Sequence, residues 1–130
     1  MALEIAIDTN RYRDFCANDP TAVDRLQTAQ RIVMPFVVVA ELRAGFLCGT
    51  RTAHNDSVLT RFLERPRVSV LYPTEATTRH FAQVYFQLRR QGTPIPKGDI
   101  WIAALVVEHN LALFSRDGHF DHLPQLVRVH

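Results

Sequence analysis

The sequence predicts an α/β fold of three layers, a central parallel sheet of four to five strands flanked by helices. Three observations lead there. Short, branched apolar runs alternate along the chain with stretches of helical spacing. Strands separated by helix-length segments are joined by crossovers, which favour parallel pairing with helices on both faces. The 130 residues are 47% apolar and 22% charged, the balance of a globular chain that buries its own core, so residues 1–130 are read as one domain.

Leu3-Glu4-Ile5-Ala6-Ile7 is a strand ending at Asp8. Thr9 or Asn10 caps a short helix through Arg13 to Ala17, and Asp19-Pro20-Thr21 punctuates before a helix over Ala22–Gln30. Arg31-Ile32-Val33-Met34-Pro35 is a second strand, stopped by the proline. Phe36 to Cys48 is ambiguous. Val37-Val38-Val39 favours strand, Ala40-Glu41-Leu42-Arg43-Ala44 favours helix, and we read helix with Gly49 as its stop. His54 to Glu64 carries two apolar rows four apart, and Pro66 ends it. Val68–Leu71 is a third strand. Thr74 to Gln91 is the clearest helix, with the stripe Phe81, Val84, Tyr85 and Leu88 and a closing Gly92. Lys97-Gly98-Asp99 leads into Ile100–Glu108, apolar on nearly every side and so buried. Leu111–Phe114 is a fourth strand ending at Ser115, and Val127–Val129 a short last one.

Several classes are excluded or left unsupported. No run reaches the roughly 18 apolar residues of a membrane span, so no membrane role is expected. Met1 to Asp8 has no basic residue and does not resemble a signal peptide. Cys16 and Cys48 form no CxxC and no zinc spacing; they are read as buried free thiols in a reducing cytoplasm. The net charge of +2 is too mild to announce nucleic acid. Its composition says more: Lys97 is the only lysine among fifteen basic residues, and arginine forks match phosphate oxygens.

Four of the thirteen acids sit where a solvated surface would not put them. Asp8 follows a buried strand, and Glu41 follows the apolar run Phe36–Ala40. Asp99 opens an apolar helix, and Asp117 trails Leu113-Phe114. Each has an ordinary explanation as a strand end, an exposed helix stripe, an N-cap or a turn. Together they can converge on one edge of an open sheet, outside the carboxyl ends of the strands, where ligands bind. Packed carboxylates repel, and a hard divalent cation removes that cost. An oxygen-only cluster suits Mg²⁺ or Mn²⁺ and implies a phosphodiester or phosphoryl substrate. With these four committed to metal, nine acids remain against fifteen bases, so an acidic pit lies in an arginine-rich surface.

At these residues the sequence resembles the PIN-domain ribonucleases, and among them the VapC toxins of type II toxin–antitoxin pairs. The matching stretches are Ile7-Asp8-Thr9-Asn10, Ala40-Glu41-Leu42-Arg43-Ala44-Gly45, Ile95-Pro96-Lys97-Gly98-Asp99-Ile100-Trp101-Ile102-Ala103-Ala104 and Phe114-Ser115-Arg116-Asp117-Gly118-His119-Phe120. The resemblance implies a PIN-like sheet flanked by helices and a Mg²⁺- or Mn²⁺-dependent site at Asp8, Glu41, Asp99 and Asp117. It implies endonucleolytic cleavage of RNA, often a tRNA or rRNA loop, leaving a 3′-hydroxyl and a 5′-phosphate. It also implies a homodimer and a cognate VapB-like antitoxin that blocks the site. Gly98 stands where relatives commonly carry a polar residue, and His119 where some carry a further acid.

Around the acids, Thr9 and Ser115 are placed to hydrogen-bond a carboxylate or a metal water. Arg11, Arg13, Arg43 and Arg116 are candidates for phosphate. His119 is read as a packed or hydrogen-bonded turn residue rather than a general acid or base, and Asp121 is not taken as a ligand. One other function remains open, and a second is disfavoured by its motif. A non-catalytic RNA-binding or antitoxin-binding module would use the acids for docking. A haloacid-dehalogenase-type phosphatase needs Asp-x-Asp-x-Thr, and Asp8-Thr9-Asn10 lacks the second acid.

Overall fold

The computed structural model describes residues 3–130. The elements run β1 (Glu4–Ile7), α1 (Thr9–Cys16), α2 (Pro20–Thr28), β2 (Arg31–Pro35), α3 (Phe36–Cys48), α4 (Thr52–Leu63), β3 (Val68–Leu71), α5 (Glu75–Gln91), α6 (Lys97–Glu108), β4 (Ala112–Phe114), a 3₁₀ turn (Gly118–His122) and β5 (Val127–Val129). The sheet is wholly parallel, in the order β3-β2-β1-β4-β5.

That order places the site. The chain moves from β1 outward through β2 to β3, then returns past β1 to add β4 and β5 on the other side. Right-handed crossovers put α1–α4 on one face and α5–α6 on the other. The direction of travel therefore reverses between β1 and β4. Their register is Ile5 with Ala112, Ala6 with Leu113 and Ile7 with Phe114, so Asp8 and Ser115 leave the sheet side by side.

The ambiguous valine run is helical. Pro35 closes β2 and α3 begins at the next residue, with Val38, Val39 and Leu42 buried against the core. Branched residues cost helix propensity only tenths of a kcal/mol each, about what one well-buried methylene offsets. Gly49 does end α3, but in extended backbone rather than a left-handed cap. Gly92 does take the left-handed conformation, at φ 72°, and closes α5. Asn18 and Asn110 are also left-handed, at the ends of α1 and α6. α6 is buried along Ile100, Ile102, Ala103, Ala104, Leu105 and Val106, as its sequence requires.

Two expectations fail. Asp8, not Thr9 or Asn10, caps α1, because its carboxylate accepts the Arg11 N–H while Thr9 and Asn10 lie in the first turn. Cys16 and Cys48 are free but exposed, not buried. Each is the last residue of its helix, α1 and α3, where the chain turns away from the core toward solvent. No helix among the described residues is long and apolar enough to cross a membrane.

Candidate active site

The four acids come together at the carboxyl end of the sheet. Asp8, Glu41, Asp99 and Asp117 line one open cavity of about 250 Å³, with Thr9, Asn10, Arg13 and Ile102. Asp8 leaves β1 in extended backbone and caps α1, its Oδ1 accepting the Arg11 N–H at 3.0 Å. Its Oδ2 accepts the Ser115 hydroxyl, and Ser115 Oγ in turn accepts the Asp117 N–H at 3.1 Å. A fully buried serine thus ties two of the acids to the end of β4.

Glu41 reaches the cavity from α3, where Thr9 donates to its Oε2 at 3.4 Å. Asp99 stands in the first turn of α6. Asp117 caps the 3₁₀ turn through the His119 N–H at 2.9 Å. His119 Nδ1 lies 2.7 Å from Asp99 Oδ2 and 3.2 Å from Asp117 Oδ1. Gly98 leaves room for Glu41: a Cβ at Gly98 would stand 3.2 Å from Glu41 Oε1.

The electrostatics follow from this crowding. Burial pushes the Asp8 carboxyl above the usual aspartate range, with the Ser115 and Arg11 hydrogen bonds opposing and Asp117 adding repulsion. Partial burial raises Glu41, and the charge of Asp99 raises it further. Burial also raises Asp99; the His119 contact opposes, and Asp117 and Asp8 add to the rise. Three carboxylates are therefore held at a cost that a cation would remove.

The candidate arginines divide. Arg13 lines the cavity. Arg11 is buried away from it, with its guanidinium over the Phe114 ring and Nη1 3.3 Å from Asp14. Arg116 grips the same Asp14 through Nε at 2.9 Å and Nη2 at 3.1 Å, holding that carboxyl below the usual range. Arg43 pairs with Asp56 at 3.1 Å on the surface. Asp121 is exposed and pairs with Arg128 at 3.0 Å, outside the cavity.

Sequence reasoning missed Arg128. From β5 its Nη2 donates to the carbonyls of Ser115 at 2.8 Å and Asp117 at 3.3 Å, bracing the segment that carries the fourth acid. An arginine between two valines of a last strand gives no local sign of that role. The contact of His119 with two acids was visible only as proximity in sequence to Asp117.

Residues 5–126 match the model of the PIN domain. The chain belongs to the PIN-domain family. The match takes in all four acids of the cavity. Ribonuclease VapC1 of Haemophilus influenzae (strain R2866) is 33% identical over 121 residues, covering 85% of this PIN domain chain and 89% of the relative. The structure of VapBC-1 from nontypeable Haemophilus influenzae superimposes with a TM-score of 0.86 at 25% identity, covering 98% of this chain and 97% of that one. VapBC2 from Rickettsia felis, bound to a DNA fragment from its promoter, gives a TM-score of 0.87 at 21% identity, with 98% of each chain covered.

Proposed function

We propose that this PIN domain is a metal-dependent endoribonuclease of VapC type, a toxin that hydrolyses phosphodiester bonds in tRNA or rRNA and so stops translation and growth. One observation carries the reading: four carboxylates from β1, α3, α6 and the end of β4 share one open cavity, three of them raised by burial and mutual repulsion. The donor set is rich in oxygen and suits Mg²⁺ or Mn²⁺, with Asp8, Glu41, Asp99 and Asp117 as the holders. A divalent ion held there would neutralise charge on phosphate oxygens and lower the pKa of a water for in-line attack.

The protein's own groups do the rest. Ser115 and the Arg11 N–H fix both oxygens of Asp8, and each oxygen keeps a further lone pair with which to hold a cation. Thr9 orients Glu41 in the same way. Arg13, at the cavity wall, is the arginine placed to bind an RNA phosphate. The resemblance to VapC1 and to VapBC complexes supports a VapB-like antitoxin as partner, and we propose with it a homodimeric toxin acting in the cytoplasm.

The test is purified protein incubated with a tRNA and rRNA pool, with Mg²⁺ or Mn²⁺ and with EDTA. Discrete cuts bearing 3′-hydroxyl and 5′-phosphate ends, stopped by EDTA, are expected. Metal-independent cutting refutes the reading. RNA binding with no cutting in either ion favours a non-catalytic module.

A further inference from the structure

The hydrogen-bonding position of His119 is that of a ligand. We infer that His119 Nδ1 is a nitrogen donor to the metal, beside Asp99 Oδ2 and Asp117 Oδ1, and that it makes this site select Mn²⁺ over Mg²⁺. The inference rests on the metal-dependent reading above.

The geometry is the first argument. Six ligands at about 2.1 Å from one ion stand about 3 Å apart along each octahedral edge. His119 Nδ1 stands 2.7 Å from Asp99 Oδ2 and 3.2 Å from Asp117 Oδ1, values on either side of that edge. The three ligand atoms all lie within 4.8 Å of one another. A single face of a coordination polyhedron is thus already laid out.

The second argument is how that face is held. The His119 N–H is bonded to Asp117 Oδ1, so the backbone of the histidine and the carboxylate of its neighbour are locked together. The next residue, Phe120, is 1% exposed and anchors the turn in the core. Arg128 holds the carbonyls of Ser115 and Asp117 from behind. Asp99 comes from a different element, the first turn of α6, so the pairing of His119 with it is tertiary and not a by-product of the turn. The imidazole is half exposed, which leaves Nε2 able to carry the ring proton when Nδ1 gives its lone pair to a cation.

The third argument is ligand chemistry. Mg²⁺ takes oxygen and keeps its waters, whereas an imidazole nitrogen favours first-row transition ions. The other donors at this site, Asp8, Glu41, Asp99 and Asp117, are all carboxylates, and within that row carboxylate-rich sites suit Mn²⁺.

The experiment is electron spin-echo spectroscopy on the purified protein loaded with Mn²⁺, with calorimetric titration of Mn²⁺ and Mg²⁺ into wild type and His119→Gln. Nitrogen modulation from one histidine is expected, replaced by the ¹⁵N pattern when histidine is isotope-labelled and absent in His119→Gln. The variant should lose on the order of 10-fold in Mn²⁺ affinity and stay within about 2-fold for Mg²⁺, as an amide oxygen serves the harder ion. Mn²⁺ bound by wild type without nitrogen modulation overturns the role of His119 and leaves the nuclease reading standing. Equal losses for both ions overturn the selectivity. Failure of wild type to bind either ion overturns the nuclease reading and this inference with it.

Discussion

Replacing Asp8 by Asn should make the protein more stable and less active at once. The amide keeps the Arg11 N–H bond through Oδ1, and its Nδ2 donates to Ser115 Oγ in place of the bond Asp8 now accepts. What disappears is a buried negative charge that repels Asp117, Asp99 and Glu41. Like charges about 7 Å apart at an effective dielectric near 20 cost roughly 2 kcal/mol, and salt screening about halves that. Three such neighbours amount to about 3 kcal/mol; less about 1 kcal/mol for exchanging a charge-assisted hydrogen bond for a neutral one, and up to about 1 kcal/mol for the Ser115 hydroxyl proton, which loses its acceptor, about 1–2 kcal/mol of net stabilisation remains. For a chain of this size that is a rise in Tm of about 4–8 °C in EDTA. The same change removes a ligand charge, so cleavage should fall by at least about 100-fold, and Mn²⁺ should no longer raise Tm. Scanning calorimetry with and without Mn²⁺, beside an RNA cleavage assay, reads all three. An Asp8→Asn protein less stable than wild type in EDTA refutes the account of Asp8 as a strained ligand. Retained cleavage refutes its place in the chemistry.

Acid should stabilise the metal-free protein over the range where most proteins begin to lose stability. Asp8, Glu41 and Asp99 have raised folded-state pKa values, so their penalty is full at neutral pH and is relieved as pH falls through those values. Asp14 works in the opposite sense lower down, because its depressed carboxyl loses its contribution only as pH falls below the ordinary aspartate range. Urea midpoints of the EDTA-treated protein should therefore rise as pH falls from neutral toward the ordinary carboxylate range, and saturating Mn²⁺ should flatten the profile. Gly98→Ala places a methyl 3.2 Å from Glu41 Oε1. It should gain up to about 1 kcal/mol in chemical denaturation through helix propensity, while metal affinity measured by titration falls several-fold as Glu41 is displaced. Ser115→Ala strands a buried oxygen of Asp8 and the Asp117 N–H. A loss of about 1–3 kcal/mol in urea unfolding is expected, and an unchanged midpoint would show that the serine does not tie these groups.

Much of this was legible in the sequence because the signals were local. Pro35, Gly92 and the Asp19-Pro20 pair stop and start elements by their own backbone chemistry, and the elements end close to them. The four acids stood out because each interrupts an apolar run, and a charge in a buried strand or helix needs a reason. The valine run of α3 was ambiguous because branched residues suit either state, and only packing of Val38 and Val39 decides it. The arginines could not be sorted at all. Whether Arg11 faces phosphate or the Phe114 ring depends on the β1–β4 neighbourhood, about a hundred positions along the chain; Arg128 meets Ser115 and Asp117 only because β5 pairs beside β4. The cysteines misled because residue type predicts average burial, whereas helix ends decide theirs.

The hydrogen bond from Ser115 to Asp8 joins positions 107 apart. A nascent chain that stops short of Ala112 already contains Asp8, Glu41 and Asp99 but neither the strand that flanks β1 on its second side nor Asp117. Pairing across such a distance comes late, because the chain must be made before the loop can close. On the function proposed above, the cleaving centre is thus still unassembled while the chain is on the ribosome, and the protein can act on RNA only when synthesis has carried the chain past its fourth strand.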